Sequence, residues 1–176
     1  MIKKLMSCML VMTFVPVAFG QTTKTVTINV YFHNEKFNPN QEECTKVYPT
    51  PRTIPATKAI ARAALDELFK GTTEDERAKE FWSMPAEDTK DIVKSLRIAN
   101  GTAFLNFKKI VFEKLGNTTS SCGSGFYSSI EATLKQFPSV RRVVYAMEGN
   151  TNDFYVWVQV GECPYSKKLC ASSNFR

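Results

Sequence analysis

An α+β domain, with helices on one face of a mixed sheet, is the fold class that this sequence predicts, and three observations predict it. Residues after 24 alternate at strand period, with Val26, Ile28, Val30 and Phe32 on one face. Asn100-Gly101 separates two apolar runs, the composition of a tight hairpin turn. An amphipathic stretch bearing Phe126, Ile130, Leu134 and Phe137 runs into Pro138, after which alternation takes over at Val143, Tyr145 and Met147. Proline has no backbone N–H and disfavours helical geometry in the residue before it, so that helix should stop at Phe137. The predicted order is strand, helix, strand, strand, helix, strand, with one further strand.

Taken along the chain, the first strand is residues 25 to 32. The stretch that follows contains Asn38-Pro39-Asn40 and Pro49-Thr50-Pro51 and reads as irregular. A helix is expected from Pro55, where a missing N–H suits a first turn, to Lys70, with Gly71 placed to end it. Ile60, Ala64 and Leu68 recur there at helical spacing, with Ala61 and Leu65 beside them. Thr73 stands three residues before Glu76, a capping-box pattern that should start a short helix reaching Glu80 or Trp82 and ending at Pro85.

The segment Val93 to Phe107 reads as a hairpin. A two-residue turn places Ala99 opposite Thr102, Ile98 opposite Ala103, Arg97 opposite Phe104 and Leu96 opposite Leu105. Apolar residues then meet on one face, and a slip by one position would reverse the faces. Leu96, Ile98, Ala103, Leu105 and Phe107 are the expected core set, with Phe104 on the outer face beside Arg97. After a loop at residues 116 to 123 come the helix before Pro138, a strand from Val143 to Met147, and a strand from Phe154 to Val160.

The first twenty residues carry Lys3 and Lys4, then an apolar stretch from Leu5 to Phe19, then Gly20, which is the layout of an export signal cleaved before Gln21. Fifteen residues interrupted by Ser7, Thr13 and Pro16 fall short of the ~20 that a spanning helix needs, so no stable membrane anchor is expected after cleavage. The organisation expected is residues 1–20 as signal, 21–160 as one domain and 161–176 as a cysteine-containing tail, exported to the periplasm or outside the cell. Formal net charge is +6 over 23 basic and 17 acidic residues, and Lys3 and Lys4 leave with the signal. Basic and acidic residues mostly alternate, which describes a solvated surface with at most weak attraction to anionic wall polymer or lipid. Long basic runs and aromatic-basic interleaving are absent, so nucleic acid is not an expected partner.

Cys44, Cys122, Cys163 and Cys170 remain after cleavage, an even number in an exported chain, which points to two disulfides. Three pairings are open. The short spacing from Cys163 to Cys170 suits a local tail loop, which would leave Cys44 with Cys122. Bridging also accounts for Cys122 better than reactivity does, although it stands near a helix start. His33 is the only histidine and reads as a loop residue rather than a general base. Glu74, Asp75, Glu76 and Glu80 fall at the start of a short helix, where acids meet the positive end of its dipole, so no metal is assigned to them. No cofactor motif is present. Phe104, Tyr155 and Trp157, together with Arg97, form the candidate contact surface on the open sheet face, because aromatic residues and arginine are enriched where partners bind; the alternative is that a long loop such as residues 33 to 54 covers them.

The ordered set Arg52-Thr53-Ile54-Pro55, Ala63 through Gly71, Asn100 through Phe107, and Thr133 through Pro138 with Val140, Val143 and Gly149 resembles the GerMN domain. That is the sporulation and spore germination domain of bacterial exported proteins and lipoproteins, and the resemblance covers about residues 26 to 149. It implies a non-catalytic extracytoplasmic module, similar to the ring-building α+β domains, which associates with envelope proteins or with peptidoglycan. No catalytic set is carried over. Asn106 stands where the family favours Asp, Lys135 where it favours Thr, and Thr72 where it favours Pro; all three are read as surface or turn positions. The four cysteines and the tail beyond Val160 lie outside the family pattern. Two other readings remain: a small secreted hydrolase using Cys122 or His33, and a disulfide-braced structural subunit that forms homo-oligomers.

Overall fold

The computed structural model describes residues 24–116 and 125–176. The expected signal of residues 1–20 and the half-cystine expected at Cys122 lie outside the described residues. In chain order the elements are β1 (Thr25–Asn34), β2 (Tyr48–Pro55), α1 (Ile60–Leu68), α2 (Glu74–Arg77), β3 (Phe81–Trp82), α3 (Ala86–Thr89), β4 (Val93–Ala99), β5 (Thr102–Phe107), α4 (Val111–Leu115), α5 (Gly125–Lys135), β6 (Arg142–Met147) and α6 (Thr151–Trp157). Short 3-10 turns lie at Pro39–Gln41 and Ser172–Phe175. The class is α+β, with the strands divided between two three-stranded sheets, ordered β2-β1-β3 and β4-β5-β6. The second sheet is mixed, since β5 pairs antiparallel with β4 and parallel with β6.

β2 corrects the expectation of irregular structure before residue 55 and the expectation that Pro55 opens a helix. Its prolines are the reason it escapes pattern reading. Alternate residues of a strand turn their N–H groups to opposite sides, and Pro49, Pro51 and Pro55 share one parity. The other parity is left to bond β1, so this strand can pair on one side while its outer edge offers few donors to another chain. On the β1 side the register agrees: Tyr31 and Asn29, opposite Pro49 and Pro51, direct their N–H groups away from β2. α1 begins five residues later than expected, at Ile60, after Thr57 Oγ1 accepts from the Ala59 N–H in the approach.

α1 buries Ala61, Ala64, Leu65 and Leu68, the stripe read from the sequence, and packs with α5 on β1. The capping box at Thr73 and Glu76 forms as expected, although the helix is short and Phe81–Trp82 pairs as a strand with Asn34 and His33. Pro85 caps the further helix α3 rather than merely ending α2. The hairpin has the expected register, from Ala99↔Thr102 to Leu96↔Leu105. Asn100 and Gly101 have φ of 51° and 76°, the positive values that a type I′ turn requires. α5 ends just before Pro138, its chain continuing through one turn in which the Phe137 N–H bonds to the Leu134 carbonyl.

The strand expected from Phe154 to Val160 is a helix, α6. Asn150 fixes its start by accepting from the N–H groups of Asn152 and Asp153. Thr151, Phe154, Tyr155 and Val158 then turn inward at helical spacing, whereas Val156 and Val160, members of the supposed aliphatic strand face, are 63% and 58% exposed. Two hydrophobic clusters result. The main core lies among both sheets and helices α1, α5 and α6; a second, smaller one lies on the outer face of β4-β5-β6, where Phe104, Val144 and Ala146 meet Phe175 from the C-terminal tail.

Candidate functional site

The tight turn at Asn100-Gly101 sets Arg97 opposite Phe104, on the outer face of the second sheet. The guanidinium carbon of Arg97 sits 4.5 Å from the Phe104 ring centroid, a cation–π arrangement. Over this pair folds the tail. The Phe175 ring meets Phe104 edge-on at 5.6 Å, Arg97 Nε donates to the Asn174 carbonyl at 2.9 Å, and Arg97 Nη2 donates to Asn174 Oδ1 at 2.8 Å. Asn174 is itself fixed by donating to the carbonyls of Lys168 and Leu169. A disulfide between Cys163 and Cys170, with Cα atoms 6.2 Å apart, closes the loop that carries Lys168 and Leu169. This is the tail loop suggested by the short cysteine spacing. Cys44 is also disulfide-bonded.

Between tail and sheet remains a cleft of about 210 Å³ whose walls include Arg97, Asn100, Phe104, Arg142, Lys168 and Asn174. Arg142 comes from the start of β6, which is anchored to the turn because the N–H groups of Arg141 and Arg142 both bond to the Gly101 carbonyl. No aspartate or glutamate lines this cleft. Two larger clefts differ in this respect. Near α1 and α3, Arg62 is paired with Asp66; beside β2, Arg52 is paired with Glu76.

Of the four residues expected to share an open sheet face, the structure brings together Arg97 and Phe104 and sends the others elsewhere. Tyr155 and Trp157 lie on α6 within the main core, and Phe104, Tyr155 and Trp157 are only 4%, 5% and 8% exposed. Trp157 Nε1 donates to the Gly116 carbonyl, and Tyr155 Oη accepts from the Tyr145 N–H. Burial pushes the phenols of Tyr145 and Tyr155 well above their ordinary value. The expectation of one exposed aromatic face fails because Tyr155 and Trp157 belong to a helix, and the tail rather than residues 33–54 covers Phe104. Arg142, Lys168 and Asn174 were not singled out from sequence. The doublets Arg141-Arg142 and Lys167-Lys168 are visible there, but nothing local shows that they meet.

His33 is buried at the end of β1 rather than in a loop, stacked on Trp82 with ring centroids 4.6 Å apart. Burial lowers its pKa, against the raising effect of hydrogen bonds with the backbone at Gly125 and Lys46. A Cβ added at Gly125 would come within 2.7 Å of His33 Nε2, so glycine opens α5 where the ring passes. Within the acidic group, Glu76 has a structural engagement: Arg52 bonds its carboxylate and also the carbonyls of Glu67 and Gly71. Burial alone would raise the Glu76 carboxyl, but hydrogen bonds from Arg52, Thr50 and the Thr73 N–H, with the Arg52 charge, leave it below its ordinary value. Among the described residues no cluster of three or more His, Cys, Asp or Glu is arranged to hold a metal, and no helix is long and apolar enough to cross a membrane.

The family model described as sporulation and spore germination matches residues 29–153, more than two thirds of the chain. Among solved structures, the chain is similar to the tandem GerMN domains of the sporulation protein GerM from Bacillus subtilis, with 25% identity and a TM-score of 0.49 over 75% of this chain and 42% of that one. It is also similar to the first GerMN domain of that protein, at 19% identity and a TM-score of 0.49, over 80% and 94% of the two chains. The chain thus spans under half the length of the tandem structure. No curated protein matches it.

Proposed function

The chain belongs to the sporulation and spore germination family, and from that premise we propose that it is a non-catalytic binding module of the bacterial cell envelope or spore. It engages a protein partner or peptidoglycan outside the cytoplasm. The observation that carries this reading is the chemistry of the cleft under the tail. Its walls supply guanidinium, ammonium and amide groups with no histidine, cysteine or carboxylate to move a proton, an inventory suited to recognition rather than to bond cleavage. The buried stack of His33 on Trp82 supports the same view, since a general base must reach its substrate.

Export of the chain, with removal of residues 1–20, is part of the proposal and rests on the signal-like layout of those residues. N-terminal sequencing of the protein recovered outside the cytoplasm should begin at Gln21. The binding role is tested by passing the purified mature protein over peptidoglycan sacculi and over immobilised envelope extract. Retention on one of them is the expected result; retention on neither would count against a binding module.

A further inference from the structure

Resting on that reading of the chain as a binding module, we infer that the cleft between the hairpin turn and the disulfide loop is an oxyanion site, taking a phosphate or carboxylate group of the ligand. Three cations from three separate parts of the fold converge there: Arg97 from β4, Arg142 from β6 and Lys168 from the tail. Arg97 is held by the carbonyl and side-chain oxygens of Asn174, which take one Nε and one Nη2 donor and leave its charge uncancelled. Arg142 and Lys168 are exposed, and neither makes an ion pair among the described residues. By contrast Arg52, Arg62, Lys70 and Lys94 each meet a carboxylate.

Gathering like charges around a small cleft with no acid in its wall raises the local positive potential, which an entering anion relieves. The planar fork of arginine matches the paired oxygens of a carboxylate or phosphate, and lysine adds a mobile point charge. Asn100 brings a further amide group to the rim, whereas the Asn174 amide is engaged by Arg97 and by the carbonyls of Lys168 and Leu169. The arrangement depends on the tail, because Lys168 and Asn174 form one wall and the Cys163–Cys170 bridge fixes their loop.

The test is an NMR titration of the mature protein with inorganic phosphate and, separately, with acetate, using chloride at matched ionic strength as the control. Saturable shifts at the backbone amides of residues 97–104, 142 and 168–174 are expected with phosphate, acetate or both, and not with chloride. Whichever probe saturates names the group that the ligand carries. In the double variant R142Q/K168Q affinity should fall about tenfold or more, the loss of charge-assisted hydrogen bonds, while the melting temperature stays unchanged because both side chains are exposed. Shifts that never saturate, or that persist undiminished in the double variant, would overturn the site. Retention on sacculi or envelope extract without saturable oxyanion binding would overturn this inference alone; saturable oxyanion binding without retention would overturn the binding-module reading alone.

Discussion

Asn106 joins three parts of the molecule through one amide. Its Nδ2 donates to the Phe175 carbonyl at 3.1 Å and its Oδ1 accepts from the Gly149 N–H at 2.9 Å. It is not the surface or turn position expected, since it is 2% exposed within β5. The departure from Asp acquires a physical reason here: an ionised carboxylate can accept from Gly149 but has no proton to offer Phe175. Asn106→Asp should therefore destabilise the protein at neutral pH by about 2 kcal/mol, measured by denaturant unfolding, with partial recovery in acid as the carboxyl protonates. The loss should shrink when residues 171–176 are removed as well. Arg52 is the comparable hub on the other sheet. Arg52→Lys keeps the charge but not the fork, so it should cost about 2–4 kcal/mol by leaving the Glu67 and Gly71 carbonyls and Glu76 incompletely bonded. Because the folded-state pKa of Glu76 is depressed, its contribution is present above the ordinary glutamate value of 4.5 and is lost as pH falls through the folded value. In Glu76→Gln that acid-side decline of stability should be shallower.

At the scale of elements, the first sheet shows how an edge can be closed without a strand. β1 pairs along one side with the proline-bearing β2, and over part of the other side it has α5 instead of a neighbour strand. Gln136, just past the end of α5, accepts from the Asn29 N–H at 2.9 Å and donates to the Asn29 carbonyl at 2.7 Å; Thr133 accepts from the Tyr31 N–H. The amide thus takes the place of a backbone peptide in the ladder. Gln136→Ala should cost about 1–2 kcal/mol and speed hydrogen exchange at Asn29 more than at Val30, which hydrogen-exchange mass spectrometry or NMR would resolve. This edge contact gives Thr133 and Gln136 of the segment before Pro138 a definite task. Two elements differ from the sequence expectation for local reasons. β2 was concealed because proline is usually a breaker and here it falls only on the side that needs no donor. α6 was concealed because residues 154–160 satisfy a period of two in polarity, while Asn150 commits the backbone to a helix.

Across the whole molecule, the tail decides what the second sheet presents to solvent. Without residues 161–176 the outer face would show Phe104, Val144 and Ala146; with them it shows the rim of a basic cleft. The bridge from Cys163 to Cys170 closes a loop of sequence separation 7, for which loss of the crosslink is worth about 2–3 kcal/mol in the chain-entropy account. Replacing both cysteines with serine should lower stability by about that amount and raise exchange in residues 163–175, leaving exchange in β1 and α1 unchanged. Uniformly faster exchange would show that the tail and the main core unfold together. Sequence alone determined the α+β class, the hairpin and its register, the capping box, the stop before Pro138 and the family, because each depends on residues close together whose turn chemistry and periodicity agree. Only the tertiary structure decided that prolines could form an edge strand, that Tyr155 and Trp157 are core, and that Arg97, Arg142 and Lys168 share one cleft. Those outcomes depend on which surfaces meet after the chain has closed, and no local pattern encodes a contact between residues seventy positions apart.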